Sequence, residues 1–294
     1  MEGFLNLNKP AGPTSHDIVE QVRRLLHRRR VGHGGTLDPL AEGVLPIALG
    51  RATRLLPFLH EGEKVYRATV ALGVSTTTYD AEGEVTATRP VPPLDRRELE
   101  AVLSSFQGEI EQVPPPFSAV RQGGRRLYRR ARAGEEVQPP PRRVRIFRLT
   151  LLSWEPPHLS LEVACGGGTY IRSLAHDLGE RLGCGAHLRS LVRFQVGPFR
   201  LEEALRPEEL AALVARGRLE EVLLPSDTPV RHWPAVVVEE SLLPALLSGR
   251  PLALEVRVEN GERVRAYGPT GRFLALLRRE TESGLWRPFR VFPE

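Results

Sequence analysis

The chain has 294 residues, 41% hydrophobic and 26% charged, which is enough apolar material for one large domain and a small one. No apolar run is long enough to cross a membrane, and the two cysteines, Cys165 and Cys184, lie far apart. That leaves no disulfide framework, no zinc-type ligand spacing and no expected metal.

The formal charge is +5, with an isoelectric point of about 9.7, and Lys9 and Lys64 are the only lysines. Arginine forks match phosphate oxygens and stack on bases, so a nucleic-acid partner is favoured, although GC-rich coding also writes arginine for lysine. The start, Met-Glu-Gly-Phe-Leu-Asn-Leu-Asn-Lys-Pro, has no signal-peptide pattern, so the expected compartment is the cytoplasm.

Phe4–Asn8 reads as a short strand, and Lys9-Pro-Ala-Gly-Pro13 as a turn. Thr14 or Ser15 then caps a helix whose stripe is Ile18, Val19, Val22, Leu25 and Leu26. Arg28-Arg29-Arg30 follows it and leads into the glycine-rich stretch Val31-Gly-His-Gly-Gly-Thr-Leu-Asp38-Pro39. We read the arginines as phosphate contacts delivered onto that stretch. Asp38 is fixed by the proline after it, which pushes its backbone out of helical space, while Gly34 and Gly35 allow a close approach. This single carboxylate on a rigid loop is the candidate nucleophile.

Lys64–Leu72 alternates as a strand, with Tyr66 on the face of Ala68, Val70 and Leu72; alone, Tyr66 reads as a core tyrosine. Ser75–Glu84, with Asp80, reads as a hairpin or a surface loop. Leu94–Phe106 is an amphipathic helix opened by Asp95. The Arg121–Arg143 insert carries Arg125, Arg126, Arg129, Arg130, Arg132, Arg142 and Arg143 around Tyr128. Arginines interleaved with an aromatic point to nucleic acid.

Val144–Trp154 and Leu159–Cys165 read as strands. Gly166-Gly-Gly168 then gives way to Thr169-Tyr170-Ile171-Arg172, opening a helix that ends at Gly183. His187 and Arg189 continue a basic segment, and Leu205–Ala215 is a further helix. Leu224–Pro234 reads as a linker. Beyond it, Leu252–Val258, Val264–Tyr267, Phe273–Leu277 and Trp286–Phe292 read as short strands of a small β-barrel-like module. Strands and helices without a βαβ rhythm make the main part α+β.

Taken together, these residues resemble the TruB-type tRNA pseudouridine synthases with a C-terminal PUA RNA-binding domain. The resemblance spans Leu7-Asn-Lys-Pro10, Val31–Pro46, Tyr66-Arg67, Pro115-Pro-Phe-Ser-Ala119, Gly168–Arg172 and His187-Leu-Arg189. It implies a mixed, mainly antiparallel sheet flanked by helices over residues 1–228, with a mobile basic thumb at about 121–143, and a PUA domain over 232–294. It implies isomerisation of a uridine in the tRNA T loop, position 55, to pseudouridine by base flipping, with no cofactor, no obligate protein partner and a monomeric enzyme. The nucleophile falls on Asp38, the base-stacking tyrosine on Tyr66 and the aspartate-pairing arginine on Arg172. Substrate contacts fall on His33, Tyr170, Lys9, Gly34 and Gly35, and RNA contacts on Arg125, Arg126, Arg129, Arg130, Arg142, Arg143 and Arg189. Gly167 stands where many relatives carry a lysine, so one phosphate contact of the family has no counterpart at that position. The alternative reading is a non-catalytic RNA-binding protein or tRNA-folding chaperone using the same cleft.

Overall fold

The structure, a computed structural model, describes residues 1–118, 121–122, 125–126, 139–256 and 263–293. Its centre is a nine-stranded sheet. The strands are β1 (Gly3–Lys9), β2 (Val31–His33), β3 (Ala41–Leu49), β4 (Lys64–Leu72), β7 (Gly108–Gln112), β10 (Arg142–Glu155), β11 (His158–Cys165), β12 (Ala186–Val196) and β13 (Phe199–Arg200). The path runs β1-β3-β12-β4-β11-β10-β7, with β2 on β3 and β13 on β12. All pairs are antiparallel except β12 with β3. The expected mixed, mainly antiparallel sheet is therefore present.

Helix α1 (Ser15–Leu26) starts at Thr14, whose hydroxyl accepts from the Asp17 N–H while the Asp17 carboxylate accepts from the Thr14 N–H. Such a reciprocal cap satisfies two orphan donors. Ile18, Val19 and Val22 are buried against Leu5, Leu7 and Leu45 of the sheet. A short helix α2 (Leu56–Glu61), not evident in the sequence, joins β3 to β4. Strands β5 (Val74–Thr76) and β6 (Val85–Thr88) form a hairpin, so Ser75–Glu84 takes the first of its two readings. Helix α3 (Arg96–Ser104) and helix α4 (Ile171–Arg181) cover the inward face of β4, β10 and β11 through Leu99, Leu103, Leu174 and Leu178. Helix α5 (Pro207–Ala215) packs Leu210 beside α1.

Several strands go beyond the sequence expectations, β3, β7 and β12 among them. The basic segment at His187–Arg193 is the core of β12. Residues 108–112 form β7. In the basic insert, β8 (Arg121–Gln122) pairs with β9 (Arg125–Arg126), and Arg129 and Arg130 lie outside the described residues.

The Leu224–Pro234 segment is not a free linker. Phe4 and Leu224 exchange backbone hydrogen bonds of 2.9 and 2.8 Å, and Thr228, Pro229 and Val230 are buried. Beyond it, β14 (Ala235–Val237), β15 (Arg263–Tyr267), β16 (Phe273–Arg279) and β17 (Trp286–Val291) form a four-stranded sheet covered by α6 (Leu243–Leu247). Among the described residues this sheet is open rather than closed into a barrel. Of the expected Leu252–Val258 strand only a bridge from Leu252 to Trp286 forms, and 257–262 lie outside the described residues.

Candidate active site

Asp38 lies on the loop between β2 and β3, and that loop is held from three sides. Ser15, at the start of α1, donates from its hydroxyl to the Leu37 carbonyl (3.1 Å) and accepts from the Leu37 N–H (2.8 Å). The Pro39 carbonyl accepts from Gly12 N–H (2.9 Å) and Lys9 Nζ (3.3 Å). On the far side Arg193 of β12 donates to the carbonyls of Gly35 (3.0 Å) and Val44 (2.8 Å). Gly35 has φ +122°, a region L side chains rarely adopt, and a Cβ on Gly34 would meet Leu59 at 2.5 Å. The glycines thus let the loop lie flat between α2 and Arg193.

Opposite the loop, Tyr170 precedes α4 and Arg172 sits in its first turn. Gln112, buried at the end of β7, accepts from the Tyr170 N–H (2.7 Å) and donates to its carbonyl (3.0 Å). This fixes the strand-to-helix turn. Arg172 Nε lies 2.9 Å from Asp38 Oδ2, and Nη2 donates to Oδ1 at 3.1 Å. Its remaining donors meet the carbonyls of Thr78 (3.1 Å) and Phe117 (3.0 Å), and Nη1 lies 3.4 Å from Asp80 Oδ2. A buried guanidinium is thereby shared by two carboxylates. The Asp38 side chain keeps 35% of its surface, against 4% for Asp80, so only Asp38 is presented to a ligand.

A cavity of about 250 Å³ opens in front of Asp38 and is lined by Tyr66, Tyr170, Arg172, Leu191, Arg193 and Lys64 among others. Tyr66 is 7% exposed and pairs across the sheet with Arg193. Burial pushes its phenol pKa up, against the pull of Arg193, so the ring is a neutral phenol. Burial likewise raises Asp38; Arg172 opposes the shift, while Asp80 adds to it. Pairing with an arginine by itself would hold a carboxyl below its ordinary range. Desolvation exceeds the ion pair, and Arg172 limits the rise.

The structure brings Asp38, Tyr66, Tyr170, Arg172 and Gly35 together. It places the other sequence-derived residues differently. Lys9 is fully buried, with its ammonium on the carbonyls of Pro10 and Pro39 and its pKa lowered by burial to about 8, so it holds the loop. Gly34 donates to the Pro46 carbonyl, and half-buried His33, its pKa lowered by burial, is not part of the cavity wall. Arg142 pairs with Gln112 in the sheet and acts on Tyr170 electrostatically, whereas Arg143 faces solvent. Arg189 is exposed beside His158, outside the cavity. Arg125 and Arg126 are located only by the backbone of β9.

Asp80, Arg193, Gln112 and Ser15 are working parts that sequence reasoning missed. For Arg193 a signal existed, since it continues the inward row of Leu188 and Leu191. Bulges between Leu188 and Ser190 and between Arg193 and Gln195 break the period that would have shown it.

A carboxylate clamped by a buried arginine beside an aromatic wall fits nucleophilic attack on a planar ring. Comparison with known proteins gives this geometry a family. Residues 23–171 match the model for the TruB family pseudouridylate synthase N-terminal domain, and 172–231 match the tRNA pseudouridylate synthase B C-terminal domain. The chain belongs to the TruB family. It is similar to proteins named tRNA pseudouridine synthase B from Dehalococcoides mccartyi strain CBDB1 (46% identity; 99% of this chain, 97% of the relative) and Pseudomonas aeruginosa strain UCBPP-PA14 (43%; 94% and 91%). Among solved structures, a Cbf5-Nop10-Gar1 complex aligns with TM-score 0.76 at 28% identity, covering 99% of this chain and 85% of the other. An H/ACA RNP bound to a substrate RNA containing 2'-deoxyuridine aligns with TM-score 0.75 at 26% identity, with the same coverage.

Proposed function

We propose that this chain isomerises a uridine in the T loop of tRNA, position 55, to pseudouridine, with Asp38 as nucleophile. The observation that carries the reading is Asp38 itself: one carboxylate, gripped by Arg172 and facing a cavity walled by Tyr66 and Tyr170. A uridine inside a folded loop must be flipped out, at a cost of a few kcal/mol. Stacking on Tyr66 offsets about 1–3 kcal/mol of it. Asp38 attacks either the sugar carbon or C6 of the ring; the C1'–N1 bond breaks, the uracil turns, and the C1'–C5 bond forms before C5 loses its proton. Arg172 keeps the carboxylate ionised and aimed. Tyr66 stacks as a neutral phenol; it serves as the C5 base by taking that proton on its oxygen while its own hydroxyl proton passes to solvent, so the phenol is neutral before and after the step.

The same reading takes the basic 121–143 insert as a thumb over the RNA and the C-terminal sheet as a PUA module. The same reading, carried over from the family resemblance, takes the enzyme as a cytoplasmic monomer that needs no protein partner. The test is pseudouridine mapping on a T-arm hairpin. Asp38→Asn abolishes product while hairpin affinity stays within about threefold of wild type; wild-type-like product from this variant overturns the assignment.

A further inference from the structure

The arginine run after α1 does not contact the loop of Asp38, as the sequence had suggested. His27 ends the helix in the left-handed region (φ 51°), and Arg30 accepts the Gly50 N–H through its carbonyl at 2.9 Å. Gly50 follows the last residue of β3, while Asp38 precedes the first: the Ala41 N–H donates to the Asp38 carbonyl. β3 spans nine residues, so the arginines lie about 27 Å along the sheet from the nucleophile. The reaction at Asp38 does not use them.

At that far end they are part of something larger. Arg30 Nε donates to Thr53 Oγ1 (3.0 Å), and the next residue, Arg54, donates to the Val291 carbonyl of β17 (2.7 Å), beside Arg290. The contacts of Arg30 and Arg54 thus span the junction between the large sheet and the C-terminal sheet, with Arg28 and Arg29 preceding Arg30 in the chain and Arg290 preceding Val291; all five are exposed. None of the five has a carboxylate partner among the described residues, whereas Arg51 beside them is paired with Glu2. Between Arg54 and Arg290 a groove of about 550 Å³ is lined by Pro57, Pro288 and the half-buried Phe289. A helix C-terminus accounts for one or two cations, not for five that cross to a second sheet.

We infer that this ridge binds the phosphate backbone of the tRNA outside the T arm. The inference rests on the tRNA reading of the active site and adds a second contact to it. The T arm is a hairpin whose loop is held at Asp38, and an anchor about 27 Å away is placed for the phosphates of the helical body that continues from its stem in the intact molecule. Exposed guanidinium groups with no carboxylate partner among the described residues, three of them (Arg30, Arg54 and Arg290) held by a hydroxyl or a backbone carbonyl, are suited to phosphate oxygens.

The experiment compares two substrates, intact tRNA and the isolated T-arm hairpin, with two sets of substitutions. The first set is Arg28→Gln, Arg29→Gln, Arg54→Gln and Arg290→Gln together. The second replaces the same four residues by lysine. For the glutamine set, the KM on intact tRNA rises by at least about tenfold and the slope of log affinity against log salt falls by about two to three, with kcat little changed. Its turnover of the hairpin moves less than twofold, which shows that the cleft is folded and that the active-site reading stands independently. The lysine set retains most of the tRNA affinity and salt slope. Equal losses on hairpin and tRNA, no loss on tRNA, or a lysine set as weak as the glutamine set each overturns the ridge; the last two leave it as a solvated surface or a docking site for an acidic protein. Loss of hairpin modification in the wild-type enzyme would overturn the active-site reading instead.

Discussion

Asp38 must be an anion to attack, yet its surroundings resist the charge. Burial raises its pKa, and the second carboxylate, Asp80, competes for the same guanidinium 3.4 Å away. The sign follows from the active form. The rate is carried by deprotonated Asp38, falls as pH drops through its raised pKa, and so has its acid limb above the ordinary carboxylate range. The same shift makes the fold bind a proton more tightly than the unfolded chain. Stability from this group is present at low pH and is lost as pH rises through the raised value. Asp80→Asn removes the neighbouring charge and leaves Arg172 to Asp38 alone, so the acid limb of kcat moves to lower pH. A pH–rate profile on the hairpin checks this; a limb that stays in place or moves up shows that Asp80 acts through geometry rather than charge.

At the scale of elements, the hairpin turn that carries Asp80 is held by an aromatic pair. Tyr79 has φ +63°, strained for a non-glycine residue, and its ring stacks on His176 of α4 at 3.9 Å with an interplanar angle of 5°. His176 is one turn beyond Arg172 on the same helix, so the stack fastens the turn to the element it serves. Thr76 Oγ1, donating to the Asp80 carbonyl at 2.7 Å, closes the turn from within. Tyr79→Ala is expected to cost about 0.5–1.5 kcal/mol beyond its buried area and to lower kcat several-fold with KM unchanged, while Tyr79→Phe restores both. Steady-state kinetics beside thermal melts test it, and a phenylalanine variant no better than alanine removes the stack as the cause.

Helices α1, α3, α4 and α5, the cap at Thr14, strand β4 and the Tyr170–Arg172 turn were legible in the sequence because each is a local pattern. What escaped is what depends on distant partners. Nothing local distinguishes Asp80 from a surface aspartate, and its burial comes from a helix ninety residues further along the chain. Lys9 reads equally well as a phosphate contact or a loop clamp until Pro39 is seen against it. Gly167 has a steric reason: a Cβ there would lie 2.1 Å from the His60 carbonyl. Lys64, whose ammonium donates to the Leu59, His60 and Gly62 carbonyls, stands 3.6 Å from that Cβ position and leaves a cation on the same wall of the cavity.

For the whole molecule, the decisive feature is that the two sheets share a core. Phe4, Val44, Leu55, Leu59 and Val230 pack in one cluster with Leu276 and Phe292 of the C-terminal part. A polar clasp lies beside it: Arg265 Nη1 is 2.6 Å from Asp227 Oδ2, the Tyr267 hydroxyl donates to the same oxygen, and Arg265 Nε donates to the Trp233 carbonyl at 3.0 Å. Burial, together with the Asp227 contact, pushes the Tyr267 phenol up to about 12, so it stays a donor at any physiological pH. A shared core couples the stability of both parts, because opening either exposes apolar surface of the other. The chain is therefore expected to unfold in one transition, with calorimetric and van't Hoff enthalpies equal. Phe292 is 3% exposed, and Phe292→Ala should cost about 3–5 kcal/mol and lower that single transition as a whole. If the C-terminal sheet melted first and left hairpin turnover intact, the junction would be a docking contact rather than a core, and the ridge that crosses it would lose the rigid spacing from Asp38 on which its tRNA contact depends.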